Sequence, residues 1–83
     1  VLFQNKPNPF TGNTTINYYV PASAKSAILQ IVNQQGLIIS TIQLTTGSGN
    51  VEIDATQLNS GLLTYSLIVD EKIIATKQMM LTK

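Results

Sequence analysis

The feature that most constrains the fold of this chain is an alternation of apolar and polar residues with a period of two. Ile16, Tyr18 and Val20 form one such set, and Leu63 and Tyr65 belong to another. Side chains of a β-strand point alternately to opposite faces, whereas an amphipathic helix repeats every three or four residues. The pattern therefore predicts strands, at 13–20, 26–33, 37–44, 50–55, 62–70 and 73–82.

Turn residues separate these runs. Asn33–Gly36 is typical of a short hairpin loop in which Gly36 supplies a positive φ. Thr45–Asn50 predicts a small polar loop, and Asp70–Lys72 predicts a tight hairpin. About six short strands with regular turns indicate an all-β sandwich or barrel.

The stretch Ala55–Gly61 is too long for a hairpin and carries one larger apolar residue, Leu58. We expect it to cross between the two sheets, with Leu58 closing the edge of the core. Gly61 would then allow a tight entry into the next strand.

Several strands carry apolar residues on both faces. A second apolar face is explained either by burial in a partner, another copy or a neighbouring domain, or by the scattered apolar residues that most surfaces carry. The residues opposite the better core set are Ile28, Val32, Ile38, Ile68, Ile74 and Met80. Self-association through this sheet face is one of the expectations that follow.

Composition excludes several classes of function. The chain has 83 residues, a net charge of +1, no cysteine, no histidine and no arginine, and its five basic residues are scattered lysines. Nucleic-acid binding favours a clustered basic patch, so we predict no nucleic-acid partner. No apolar run approaches the length that crosses a bilayer. The start at Val1 is typical of a segment of a longer protein.

The four acidic residues do not form a recognisable catalytic or metal site. Glu52 and Asp54 share one face of a predicted strand, and Asp70 and Glu71 lie in a predicted turn, where acidic residues are common. Without histidine no Ser-His-Asp triad is possible, and without cysteine no thiolate chemistry is possible. We therefore predict no catalytic residue, no metal site and no cofactor.

The segment Pro7-Asn8-Pro9-Phe10 is the sharpest local motif. Two prolines fix φ and favour extended backbone at the residues before them, and Phe10 supplies an apolar anchor. The segment predicts a rigid arm pinned against the sandwich. It could also be recognised as a boundary with a preceding domain.

Six pieces of the sequence, in order, resemble a known family. They are Gln4-Asn5-x-Pro7-Asn8-Pro9-Phe10, Thr15-Ile16-x-Tyr18 with Pro21, Ile31-Val32-Asn33 with Gly36, Gly49-x-Val51, Leu58-x-x-Gly61, and the tail Lys77–Lys83. In this combination the chain resembles the type A C-terminal sorting domain of the type IX secretion system of Bacteroidetes-type bacteria. The resemblance implies an immunoglobulin-like antiparallel β-sandwich of six to seven strands. It also implies one domain over 1–83, with an arm at 1–12 and the sandwich at 13–83.

The resemblance further implies that the chain directs a cargo protein through the outer membrane by recognition rather than catalysis. The expected partners are an N-terminal cargo domain, the outer-membrane translocon and a sortase-like peptidase. The expected location is the cell surface or the medium, reached through the periplasm. The expected recognition residues are Pro7, Asn8, Pro9, Phe10, Gly36, Gly61, Lys77, Met79, Leu81 and Lys83. An exposed strand edge in the last hairpin could offer backbone pairing to the machinery.

A second interpretation is a carbohydrate-binding or adhesion module appended to a secreted enzyme. Such modules usually display several aromatic side chains on one face. This chain contains no tryptophan, and its aromatic residues are Phe3, Phe10, Tyr18, Tyr19 and Tyr65. A small enzyme is a third class, which the missing histidine and cysteine and the few acids disfavour.

Overall fold

The computed structural model describes residues 1–82. Within them lie six strands and one turn of 3₁₀ helix, Ala55–Gln57. The strands are β1 (Asn13–Val20), β2 (Ala27–Val32), β3 (Ile38–Gln43), β4 (Gly47–Asp54), β5 (Gly61–Val69) and β6 (Lys72–Leu81). None of the described helical residues forms a segment long and apolar enough to cross a membrane.

The strands form two antiparallel sheets. β1 pairs with β4, and the larger sheet has the order β3-β2-β5-β6. The 3₁₀ turn and the residues after it carry the chain from the small sheet to the large one, which confirms the predicted crossover. The all-β sandwich that the period-two pattern and the family resemblance predicted is therefore confirmed.

The core lies between the two sheets and follows the predicted alternation. The burial pattern of β2 alternates strictly between buried and half-buried residues. Leu29 and Tyr65 of the large sheet and Ile16 and Val20 of the small sheet are fully buried. Leu58 packs against this core as a partly buried residue, as expected for the crossover.

The sequence predicts a polar loop at 45–50, but the structure has a strand in the second half of this range. Gly47 to Gly49 belong to β4 and pair with Val20, Tyr19 and Tyr18 of β1. Gly49 lies opposite Tyr18, and a Cβ placed on Gly49 would come within 2.5 Å of the Tyr18 hydroxyl oxygen. The glycine therefore makes room for the aromatic ring, although its sequence context resembles a loop.

A strict alternation in the last strand predicts that Ile73 faces the core with Met79 and Leu81, and for Ile73 this prediction is wrong. The register between β5 and β6 shifts by one residue, so that Ile68 pairs with Ile73 while Leu67 pairs with Ala75. The extra residue of this β-bulge shifts the alternation by one position. The side chains of β6 that precede the bulge therefore point to the opposite face of the sheet. Ile73 is 66% exposed, whereas Met79 and Leu81 are buried.

The second apolar face is only partly covered in the single chain. Ile28, Val32 and Ile68 are half-buried, whereas Ile38, Ile74 and Met80 are exposed. A row of polar residues, Thr41, Gln30, Ser66 and Thr76, crosses the large sheet through these positions. Self-association through this face stays a prediction.

The sandwich has two distinct ends along its 39 Å axis. The hairpin end holds the β5–β6 turn at Asp70 and Glu71 and the loop between β1 and β2. The tail end holds the end of β6, the turn around Gly36 and the crossover before Gly61. The positive φ predicted for Gly36 is confirmed, at 83°, and Gly61 also has a positive φ, of 134°.

Candidate functional site

The N-terminal arm, residues 1–10, pairs with both sheets. Its first part runs antiparallel to β1, on the edge that β4 does not use. The Phe3 amide donates to the Asn17 carbonyl at 3.0 Å, and Lys6 and Thr15 exchange two backbone hydrogen bonds of 2.9 and 2.8 Å. The arm therefore acts as a third strand of the small sheet.

The arm then crosses to the large sheet. Both bonds that precede the prolines, Lys6–Pro7 and Asn8–Pro9, are cis. The Phe10 amide donates to the Met80 carbonyl at 2.9 Å, and the Thr82 amide donates to the Phe10 carbonyl at the same distance. Phe10 itself is 1% exposed and belongs to the core. The anchoring role predicted for this residue is confirmed.

Two arm side chains extend the contact with the outer edge of β6. The Gln4 side-chain amide donates to the Gln78 carbonyl at 2.6 Å, and the Met80 amide donates to the Asn8 Oδ1 at 2.9 Å. The arm thus occupies the edge of β6 from Gln78 onwards. The expectation that this end of the last hairpin presents an open strand edge is wrong, because the chain's own first residues pair with it.

The Tyr65 hydroxyl joins the arm to the core. It donates to the Phe3 carbonyl at 2.8 Å and accepts from the Asn5 amide at 2.9 Å. Burial raises the pKa of the Tyr65 phenol, and the hydrogen bond from Asn5 opposes this shift. Because both partners belong to the arm, the hydroxyl is satisfied only while the arm is in place.

Asn5 and Thr14 complete this buried polar cluster. The Asn5 side-chain amide donates to the Thr14 Oγ1 at 2.9 Å and to the Pro7 carbonyl at 3.0 Å. The Thr14 hydroxyl also donates to the Pro7 carbonyl, at 2.8 Å. Both side chains are 1% exposed, and no described buried side-chain nitrogen or oxygen atom lacks a partner. The network fixes the arm where it turns from one sheet to the other.

The arm and β6 together line a shallow groove on the large sheet. This tail groove holds arm residues beside residues of the last strand. Its lining residues are Gln4, Asn8, Leu62, Thr64, Thr76, Lys77, Gln78, Met79 and Met80. A second hollow lies next to the Gly36 turn and is lined mainly by Asn33–Gln35 and Leu58–Leu63.

The structure places most of the predicted recognition residues at the tail end. Phe10 pairs with Leu81, and Leu81 pairs with Gly61. Residues 7–9 are exposed, as is Gly36, whereas Phe10, Met79 and Leu81 are buried in the core. Lys77 is half-buried, and Lys83 lies outside the described residues. Whether these residues are recognised stays a prediction.

The residues that hold the arm are not recognisable from the sequence. The period-two alternation places Tyr65 in the core without a further role, and it predicts no role for Thr14. A buried tyrosine needs a hydrogen-bond partner for its hydroxyl, and this was the available signal. The partner could not be identified from the pattern, because Asn5 lies 60 residues away in sequence.

Three of the four acidic residues serve local structure. The Glu52 carboxylate accepts from the Asn13 side chain, and the Asp54 carboxylate accepts from the Thr56 amide at the start of the 3₁₀ turn. The Asp70 carboxylate accepts from the amides of Ser26 and Lys25, and these bonds lower its pKa below the usual 3.8. Over residues 1–82, no three acidic, histidine or cysteine side chains group as metal ligands would.

Comparison with known proteins gives one match. The family model described as "Secretion system C-terminal sorting domain" matches residues 6–82. Neither a curated protein nor a solved structure gives a significant match. The family match covers the arm from Lys6, all six strands and the described part of the tail.

Proposed function

We propose that the secretion machinery binds this chain at the tail groove, where the arm and the last strand meet. The premise is that the chain belongs to the family of secretion-system C-terminal sorting domains. As a member of this family the chain is a sorting signal for type IX secretion. It belongs to a cargo protein that is exported through the outer membrane to the cell surface or the extracellular space. The family also implies interaction with the type IX secretion machinery and a role that is not catalytic.

One observation carries the proposed location: the residues expected to form the signal and the arm motif lie side by side. Asn8 and Lys77 both line the tail groove, although 69 positions separate them in sequence. Asn8 also accepts a hydrogen bond from the Met80 amide. A receptor that contacts this groove would therefore detect the arm and the tail together, and only in the folded domain.

The proposed contact uses side chains rather than an added strand. The arm already pairs with the β6 edge between Gln78 and Thr82, so β-augmentation is blocked there. The polar ends of Gln4, Asn8 and Lys77 and the exposed Met80 provide a mixed polar and apolar surface. Such a composition suits a specific protein interface with a central apolar contact.

Within the secretion machinery we propose that an outer-membrane translocon component makes this contact. A sortase-like peptidase would act on the chain before the arm, on the cargo side. We also propose that the domain has no enzymatic activity of its own. The carboxylates of Glu52, Asp54 and Asp70 accept hydrogen bonds from nearby backbone or side-chain groups, which supports a structural role for them.

The structure offers no specific support for a carbohydrate-binding module. Such a module would use exposed aromatic faces, and three of the five aromatic residues are buried: Phe10, Tyr18 and Tyr65. Phe3 and Tyr19 are the exposed ones, at 50% and 43%. We therefore keep recognition by the secretion machinery as the function.

The test compares two lysines of the same strand in the full-length cargo protein. Lys77→Gln changes a charge in the tail groove, and Lys72→Gln makes the same change at the hairpin end. We expect Lys77→Gln to reduce the exported fraction several-fold, with the cargo retained in the periplasm, and Lys72→Gln to be exported normally. The measurement is immunoblotting of periplasmic, surface and medium fractions.

Deletion of Gln78–Lys83 is a coarser test, which should also leave the cargo in the periplasm. It removes the buried Met79 and Leu81, so it also damages the fold. For this reason the thermal unfolding midpoint of each lysine variant should be measured in parallel. Normal export of a folded Lys77→Gln protein, or equal losses for both lysine variants, would contradict the proposed location.

A further inference from the structure

The edges of the two sheets are protected to different degrees. The arm covers the outer edge of β1 and the end of β6. β4 carries the charged side chains of Glu52 and Asp54. β3 has β2 as its neighbour in the sheet and no second strand on its other side in the described chain. An edge strand without protection is a template for another strand.

The outward backbone groups of β3 can be assigned from its pairing with β2. The Leu44 amide donates to the Ala27 carbonyl at 2.9 Å, and Leu29 pairs with Ile42 in the same register. In an antiparallel ladder, hydrogen-bonded and non-hydrogen-bonded residues alternate. Thr41 and Gln43 therefore turn their amide and carbonyl groups away from β2, toward the free edge.

The chemistry of this edge is unusual for an exposed strand. No charged residue occurs between Ser26 and Val51, which includes the whole of β2 and β3. Leu37 is 63% exposed and Ile38 is 59% exposed. Natural edge strands commonly carry a lysine, a proline or an inward charge that discourages pairing. β3 carries none of these protective features.

We propose that β3 pairs with β3 of a second copy of this chain, antiparallel about a two-fold axis. The absence of charge argues for this occupant, since identical strands face each other without like-charge repulsion, whereas a charged partner strand would find no counter-charge. The pairing joins two four-stranded sheets into one and satisfies the outward groups of Thr41 and Gln43. It also places the exposed Leu37 and Ile38 of each copy beside the opposite end of β3 in the other copy.

A two-fold contact of this kind closes on itself, because each copy contributes the same edge and leaves no second one to extend the assembly. Pairing of two six-residue strands buries little surface, so the interface belongs to the weak, transient class. Dimer formation should therefore depend on protein concentration. The tail groove lies on the β5 and β6 side of the sheet and stays accessible in the dimer.

The test is sedimentation velocity of the 83-residue chain over a range of concentrations, with three variants. Ile38→Lys introduces a charged side chain at each end of the strand pair, and Thr41→Pro removes an outward amide without removing a β2–β3 hydrogen bond. Ile73→Lys is the matched control, since this exposed isoleucine lies on the opposite edge strand. Circular dichroism and thermal unfolding establish that each variant is folded.

We expect the wild-type mass to rise with concentration from 9.0 kDa toward twice that value. Ile38→Lys and Thr41→Pro should stay monomeric, and Ile73→Lys should dimerise like the wild type. A wild-type chain that stays monomeric at every concentration would overturn the proposal. So would a dimer that survives both β3 variants, or one that Ile73→Lys disrupts equally.

Discussion

Tyr65 is the residue on which the docking of the arm most depends. Its hydroxyl satisfies one carbonyl and one amide of the arm inside the core. Tyr65→Phe keeps the ring but leaves the Phe3 carbonyl and the Asn5 amide without this partner. We expect a loss of about 1–3 kcal/mol in the free energy of unfolding, since buried unsatisfied groups carry their full desolvation penalty. Urea denaturation measures this change.

Tyr19→Phe is the control for that experiment. Tyr19 is 43% exposed, so its hydroxyl can bond to water. We expect its removal to change stability by less than about 0.5 kcal/mol. Equal effects of the two substitutions would show that the Tyr65 hydroxyl has no special role.

Gly49 is a second position at which one residue determines local packing. A Cβ there would come within 2.7 Å of the Tyr18 Cζ, so Gly49→Ala must displace the buried Tyr18 ring. We expect destabilisation of about 1–3 kcal/mol, typical of overpacking. In Gly12→Ala the new methyl group has no atom within 4 Å, so this control should be close to neutral. Differential scanning calorimetry of both variants tests the difference.

At this scale, the sequence predicts burial better than it predicts polar partners. The period of two correctly assigns Ile16, Val20 and Tyr65 to the core, because burial depends on strand parity. It could not predict that Tyr65 bonds to the arm, because that contact depends on how distant segments meet. It also could not show that Gly49 is a strand residue, since the requirement comes from a side chain on β1.

Among the larger elements, the arm and β6 depend on each other at their shared edge. The Met80 amide donates to the Asn8 side chain. Asn8→Ala removes this acceptor, and we expect hydrogen exchange of the Met80 amide to accelerate about fivefold to tenfold, as for the loss of one exposed hydrogen bond. Asn17→Ala, at an exposed position of β1, should leave this rate unchanged. An unaltered Met80 rate in Asn8→Ala would mean that the side chain does not protect the edge. Exchange is followed by NMR.

The β5–β6 hairpin is tied to the loop before β2 through Asp70. Hydrogen bonds from the Ser26 and Lys25 amides lower the pKa of this carboxyl group. A lowered folded pKa gives stability that is present above the unfolded value of 3.8 and is lost as pH falls through the folded value. We expect Asp70→Asn to be less stable than the wild type near neutral pH, and this difference to shrink on acidification below 3.8.

Thermal midpoints of the wild type and Asp70→Asn, measured at several pH values, test this prediction. Glu71→Gln removes the same charge from the neighbouring position and serves as the control. A wild-type advantage over Asp70→Asn that does not change with pH would contradict the role given to the Asp70 carboxylate.

The strands and most turns could be predicted from local chemistry, but two features of the elements could not. The bulge at Ile73 reverses the parity of β6, and no glycine or proline marks it in the sequence. The arm was expected to lie against the sandwich, but its pairing with strands of both sheets depends on the whole topology. The division of the domain after residue 12 stays a prediction.

At the scale of the whole molecule, the two ends of the sandwich have different neighbours. Val1 pairs with Tyr19 near the hairpin end, so a preceding cargo domain would lie there, away from the Gly61 crossover. We expect a small folded domain inserted between Asn59 and Ser60, at the tail end, to reduce export of the cargo. The same insertion between Thr45 and Thr46, at the hairpin end, should be tolerated.

Both insertion sites are exposed in the structure, and exposed loops generally accept insertions. Export is measured by fractionation, and proteolysis of the purified proteins establishes that each sandwich is folded. Equal export of both folded insertion proteins would show that access to the tail end is not required.

The candidate site could be predicted from the sequence only as a set of residues. The resemblance names Asn8 and Lys77 without a spatial relation between them. The structure shows that they line one groove, because the arm crosses from β1 to β6. Met79 and Leu81 are buried because they lie on the core-facing parity of β6, so neither is exposed for direct contact with a receptor.

The parallel pairing of Phe10 with Leu81 has a mechanical consequence when the domain is stretched between its arm and its last strand. A force applied between the cargo side of the arm and the end of β6 acts along these two segments. Hydrogen bonds loaded in this direction share the tension and must break together, whereas an antiparallel hairpin opens one bond at a time. The contact at Phe10 thus resists stretching of the chain between the arm and the last strand.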